Sequence, residues 1–145
     1  MLLDEVLESN GFRRETIDGI EYTWIDTKIG SAEPIDQIRF LAPFDPLARN
    51  RDRFEHLWDW SYRFEAYIPA AKRERGFYAL PLLWRDEIIG WVNASVINDR
   101  LLLQIGYVNK APRSKAYRKA LEEEASQMAK FLHLPGDKWE ILKVV

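Results

Sequence analysis

The residues best suited to chemistry lie in one stretch, Pro69-Ala70-Ala71-Lys72-Arg73-Glu74-Arg75-Gly76, which sets three cations against one acid between two apolar-patterned segments. Ammonium and guanidinium groups on a projecting loop suit phosphate oxygens, and the flanking Tyr67, Phe77 and Tyr78 suit stacking on bases or wedging between them. The same pattern also describes a solvated loop whose charges keep a sheet edge from pairing with other chains. Arg63, together with Arg49, Arg51 and Arg53, makes a second basic stripe. Asp52, Glu55 and Asp59 are interleaved with it, so local ion pairs account for it equally well.

Acid–base chemistry has one imaginable pair. Asp45 is held among Pro43, Phe44 and Pro46, and Glu65 is expected on the solvent side of a strand. Their separation along the chain carries no geometric information, and an Asp in such a turn ordinarily accepts from neighbouring backbone N–H groups. His56, mid-helix beside aromatics, and His133, at a helix C-terminus where the dipole favours a cation, both read as structural. The six Trp are scattered at positions 24, 58, 60, 84, 91 and 139 within apolar-periodic segments, which is the distribution of packing residues and not of a platform. With no Cys and two His, the chain has no thiolate nucleophile and no evident metal-ligand set. No catalytic residue, cofactor or metal is expected.

Any of these groups must be positioned by a folded frame, and the composition supports one. A chain of 145 residues, 47% hydrophobic and 13% aromatic, has the apolar bulk to offset chain entropy without staples. The net charge of −2, from 21 basic and 23 acidic side chains, gives no global attraction to nucleic acid, so contact would have to come from a local patch. The start, Met1-Leu2-Leu3-Asp4-Glu5-Val6, carries acids where a signal peptide needs bases, and no apolar run is long enough to span a bilayer. The cytoplasm, with no membrane partner, is the expectation.

The expected fold class is α+β, with residues 1–145 as a single domain. An antiparallel β meander or partly closed barrel carries a long C-terminal helix packed on it, with short helices at the N-terminus and near residues 50–59. Leu3, Val6 and Leu7, followed by Asn10-Gly11, predict the opening helix. Asp18-Gly19 between alternating residues predicts a hairpin over 14–26, and residues 28–34 read as a loop. Residues 37–41 are a further candidate strand, and Asn50 caps a helix reaching about Asp59. Tyr62, Phe64, Ala66 and Ile68 alternate with polar neighbours, the period-2 pattern of a half-buried strand, and similar strands follow over 77–84, 87–98 and 101–108. The short links at Arg85-Asp86 and Asn98-Asp99-Arg100 make these antiparallel neighbours. Tyr117, Ala120, Leu121, Ala125, Met128, Phe131 and Leu132 mark one face of a helix over 113–134, which Pro135-Gly136 ends, and residues 139–145 return as a last strand.

One set of runs is familiar as a whole. Arg39-Phe40-Leu41-Ala42-Pro43-Phe44-Asp45-Pro46-Leu47, Arg51-Asp52-Arg53, Tyr62-Arg63-Phe64-Glu65-Ala66-Tyr67-Ile68-Pro69-Ala70-Ala71-Lys72-Arg73 and Gly76-Phe77-Tyr78-Ala79-Leu80-Pro81-Leu82-Leu83 follow in order. Together they resemble the C-terminal region of the bacterial winged-helix crosslink-repair DNA glycosylases, the YcaQ/AlkZ-like group. Motif order and spacing agree over residues 39–97 and more loosely through the final helix; Ala42 departs from the Ser of many relatives. The resemblance implies a β-rich domain that follows tandem winged helices and helps to line a DNA-binding concavity. It implies duplex DNA contact by Lys72, Arg73 and Arg75 on a hairpin; the residues themselves add Arg63 and Tyr67 as candidate contacts and a structural turn at Pro43, Phe44, Asp45 and Pro46.

The family's catalytic Gln-x-Gln or Gln-x-Asp element belongs to the winged-helix portion, where it positions the attacking water. Gln37-Ile38-Arg39 is the superficially similar triplet here, but it ends in a cation and lies in the wrong region. The resemblance therefore implies a non-catalytic, weakly DNA-binding accessory domain without that portion. The alternative is a protein-interaction module docking on a separately encoded winged-helix partner. A small enzyme using Asp45 and Glu65 is the remaining reading.

Overall fold

The computed structural model describes residues 11–25 and 34–143; the expected opening helix lies outside them, as does nearly all of the 28–34 loop. The chain divides into two compact units, residues 1–33 and 34–145.

In the first unit, β1 (Phe12–Ile17) and β2 (Ile20–Ile25) form an antiparallel hairpin with Ile17 opposite Ile20. Asp18 and Gly19 make the turn with φ of 50° and 81°. Both central residues are left-handed, the twist that suits a two-residue hairpin.

The second unit is a mixed sheet of order β3-β4-β5-β6-β7. Its strands are β3 (Ile38–Phe40), β4 (Ala79–Trp84), β5 (Glu87–Ile97), β6 (Arg100–Tyr107) and β7 (Trp139–Lys143). The first four form an antiparallel meander, in which β3 pairs with β4 where the sequence places a strand over 62–68. β7 pairs parallel to β6, because α3 (Lys115–Phe131) intervenes and returns the chain to the same end of the sheet. The sheet is curled, in an α+β arrangement.

Both faces of this sheet are covered. Leu80, Leu82, Val92, Leu101, Leu103 and Ile105 pack against Tyr117, Ala120, Leu121, Ala125 and Ala129 of α3. The alanines let the helix axis approach closely. Ser114 starts α3 by accepting from the Tyr117 N–H. On the other side, Ile88, Leu83, Trp91 and Val108 meet Phe54, Trp60 and Tyr62. A bulge makes this possible: Leu82 faces Gly90 while Leu83 faces Ile88, so Ile89 is the extra residue and the alternation of β5 shifts there.

Two helices precede that second cluster, α1 (Pro46–Arg49) and α2 (Arg51–Trp58), the latter capped by Asn50 as its sequence predicts. Among the described residues no helix is long and apolar enough to cross a membrane. Two expectations are corrected. Residues 61–65 run without ladder pairing and 66–68 turn, so the predicted strand over 62–68 does not form. Phe131, expected on the buried face of α3, stands 81% exposed at the helix end.

Candidate functional site

Residues 62–77 build the site from within. Tyr62 is buried, and its hydroxyl donates to the Ala79 carbonyl at 2.8 Å, tying the segment to β4. Burial is the main reason its phenol is pushed up to about 12; Tyr78 and Glu65 add to that, and Arg51 and Arg75 oppose it. Phe64 follows, making edge-to-face contacts with Phe44, Tyr67 and Tyr78.

The next residue breaks the alternation. Glu65, expected toward solvent, is only 2% exposed. Its Oε2 accepts from the N–H groups of Arg75 at 2.9 Å and Gly76 at 3.0 Å, and its Oε1 lies 3.8 Å from the Arg75 guanidinium. Burial alone raises its pKa, but the backbone N–H groups of Arg75, Gly76 and Glu74, with the Arg75 charge, outweigh burial and hold the carboxyl below the usual glutamate value. The inward turn has a physical cause: the successive N–H groups of Arg75 and Gly76 have no ladder partner, and the carboxylate satisfies both.

The cations of the loop then separate into two kinds. Arg75, with a side chain 15% exposed, lies between Glu65 and Glu74 and over the indoles of Trp60 and Trp91, at 5.1 and 5.8 Å from the ring centroids. Arg73 donates its Nε–H to the Ile68 carbonyl at 2.8 Å and more weakly to that of Glu65, with its guanidinium over the Phe77 ring. Neither projects as a hairpin tip would place it, and the connection is no hairpin: a 3-10 turn, Ala70–Lys72, sits within it. Gly76 closes the loop at φ 121°, a backbone region that is strained for any side chain, with Asn93 packed against it and donating to the Arg75 carbonyl. Lys72 is exposed, Tyr67 is 88% exposed, and Arg63 is exposed with one donor on its neighbour's carbonyl. Of the candidate contact residues, these three face solvent.

The turn before α1 is locally closed. The Asp45 N–H donates to the Ala42 carbonyl, and Asp45 Oδ1 accepts from the Leu47 N–H at 2.8 Å, with Pro46 as the first helical residue and Pro43 buried. Asp45 caps a helix and Glu65 latches a loop, so neither carboxylate stands free for acid–base work. The local ion pairs that offered an equally good account of the second basic stripe are not seen. Among the described residues none of Arg49, Arg51, Arg53 and Arg63 lies within ion-pair distance of a carboxylate.

A family profile described as DNA glycosylase AlkZ-like matches residues 3–131, most of the chain and all of the site just described. The chain belongs to the AlkZ-like DNA glycosylase family. Among solved structures, the Streptomyces sahachiroi DNA glycosylase AlkZ superposes with a TM-score of 0.58 at 13% identity, over 99% of this chain and 38% of that one. At that identity the likeness speaks for the fold alone. The chain thus spans well under half the length of this AlkZ-like neighbour.

Sequence reasoning missed the latch and the unpaired stripe. The first left no local signal, since the partners of Glu65 are backbone groups some ten residues on. The second left a partial one: neighbours one apart on a helix do not face each other, so Asp52 was never placed to neutralise Arg51 or Arg53, whereas Arg51 and Glu55 stand four apart and still do not pair.

Proposed function

We propose that this chain is a non-catalytic, DNA-contacting part of the AlkZ-like architecture, presenting Arg63, Tyr67 and Lys72 to duplex DNA from a loop that Arg73 and Arg75 hold in shape. The observation that carries this reading is the division of labour around Glu65. The inward side of the loop is latched by a buried carboxylate, while its outward side turns the Lys72 ammonium and the Tyr67 phenol to solvent. A rigid loop loses little entropy on binding, and each phosphate engaged by Lys72 or Arg63 would add salt-sensitive affinity. Base excision is assigned to no residue of this chain, because Gln37-Ile38-Arg39 does not match the family's Gln-x-Gln or Gln-x-Asp element and the carboxylates Asp45 and Glu65 are structurally engaged.

Fluorescence anisotropy of a labelled duplex, titrated with the full chain at low and near-physiological salt, tests the reading. Arg63→Ala/Lys72→Ala should weaken binding and flatten its salt dependence by about 0.9 in the log–log slope for each phosphate that the variant no longer neutralises. A variant that binds as the parent does would defeat it.

A second reading is docking on a separately encoded winged-helix protein. It is favoured by a groove of about 400 Å³ in which Phe40, Ala42, Tyr78, Leu80, Met128 and Phe131 line most of the wall beside Glu124 and Gln127, a largely apolar composition suited to an interface. On that reading Phe131→Glu abolishes the complex and leaves duplex binding unchanged.

A further inference from the structure

A second cationic feature uses residues outside the loop, with Phe44 in ring contact with Phe64 between them. A cleft of about 430 Å³ opens between the turn at Phe44 and the junction of α1 with α2, and among the described residues it is lined by Phe44, Pro46, Arg49, Asn50 and Arg53, with no carboxylate. Local rules fix its shape. Asp45 caps α1 and points its carboxylate at the Leu47 N–H. Asn50 ends α1 and caps α2, accepting from the Arg53 N–H at 3.0 Å. Arg49 therefore leaves the last turn of one helix as Arg53 enters the first turn of the next. The Arg53 guanidinium donates once to the Pro46 carbonyl, which steers it along the cleft and leaves most of its donors free.

Two guanidiniums lining one cleft without a counter-charge repel each other, and an anion with several acceptor oxygens relieves that cost while accepting forked hydrogen bonds. Phe44, 71% exposed, forms an apolar wall suited to the face of a sugar or base attached to the anion. We propose that this cleft is a phosphate-binding site, with Arg49 and Arg53 as the ligands and a backbone phosphodiester of nucleic acid as the occupant. The choice of a nucleic-acid source rests on the DNA-contact reading above. The residues are separate from Arg63, Tyr67 and Lys72, so the two assignments fail separately.

The test uses the full chain labelled with nitrogen-15, inorganic phosphate and a duplex of about 20 base pairs. Phosphate should produce saturable shifts at the Arg49 and Arg53 Nε–H signals and the Asn50 amide, and Arg49→Gln should abolish them. Arg49 is exposed, and among the described residues its guanidinium has no hydrogen-bond or ion-pair partner, so this variant should keep the parent's melting temperature. In duplex binding Arg49→Gln should lower affinity several-fold and the log–log salt slope by about 0.9. Phosphate shifts with an unchanged duplex slope would support the site and overturn the backbone source, leaving a free or terminal phosphate. Phosphate shifts in a chain that binds no duplex would support the site and defeat the DNA-contact reading. No localised shift together with an unchanged slope overturns the proposal.

Discussion

Replacing Glu65 should cost more stability than any other single surface-loop change, because it leaves buried donors and a cation without their shared partner. The carboxylate serves the N–H groups of Arg75 and Gly76, near 3 Å, and the Arg75 guanidinium at 3.8 Å. Bonds to a charged acceptor are each worth about 1.5–3 kcal/mol, but they share one acceptor and do not add. Removing one member of a buried ion pair costs about 3–5 kcal/mol. We therefore expect about 3–5 kcal/mol for Glu65→Ala, or roughly 12–20 °C in Tm at about 4 °C per kcal/mol. Glu65→Gln keeps one acceptor and the side-chain volume, and should cost about half as much. Urea unfolding followed by tryptophan fluorescence is the assay, since Trp60 and Trp91 lie against Arg75.

The pH dependence carries a definite sign. The folded-state pKa of Glu65 lies below its ordinary value of 4.5, so the unfolded chain binds the proton more readily. The stability advantage of the parent over Glu65→Gln is then fully present above about pH 4.5 and shrinks as pH falls through the folded-state value. A cost under about 1 kcal/mol for Glu65→Ala, with no shrinking of the advantage in acid, would refute the latch.

Three further expectations follow from packing. A Cβ on Gly106 would sit 2.2 Å from the Trp91 ring, so Gly106→Ala should displace that indole from Arg75 and cost about 1–3 kcal/mol by urea unfolding. The Tyr62 phenol, pushed up to about 12, should stay silent in an absorbance titration until well above pH 10, and its share of stability is lost as pH rises from about 10 toward 12; Tyr62→Phe removes that loss. Asn50→Ala should cost about 0.5–2 kcal/mol in thermal unfolding, since the Arg53 N–H then has no cap.

Much of the frame is readable from local rules. Asp18-Gly19 dictates its own hairpin, and the spacing of Tyr117, Leu121 and Ala125 reports a helix whose neighbour is a sheet. Residues 62–68 show where such rules stop. Tyr62 and Phe64 alternate as a strand would, yet no neighbouring strand offers them a ladder, and the turn at 66–68 follows. Period-2 patterning reports which side chains are apolar; it does not report that two backbone N–H groups downstream need an acceptor, and Glu65 is drawn inward by that need. The direction of β7 is also set at a distance, by the length of α3 and not by its own residues. In the loop the charge cluster is visible in sequence, but the split between Lys72, which faces water, and Arg73 and Arg75, which face carbonyls, carboxylates and rings, depends on tertiary partners alone.

The most direct test of the proposed DNA contact is a nitrogen-15 titration of the full chain with an unlabelled duplex of about 20 base pairs at low salt. The account predicts shifts concentrated at Arg63, Tyr67 and Lys72, joined by Arg49 and Arg53 where the cleft takes a backbone phosphate, reversed by added salt, with the Gly76 amide held in its latched position throughout. Shifts gathered instead around Phe40, Tyr78 and Phe131, or none anywhere, would contradict it.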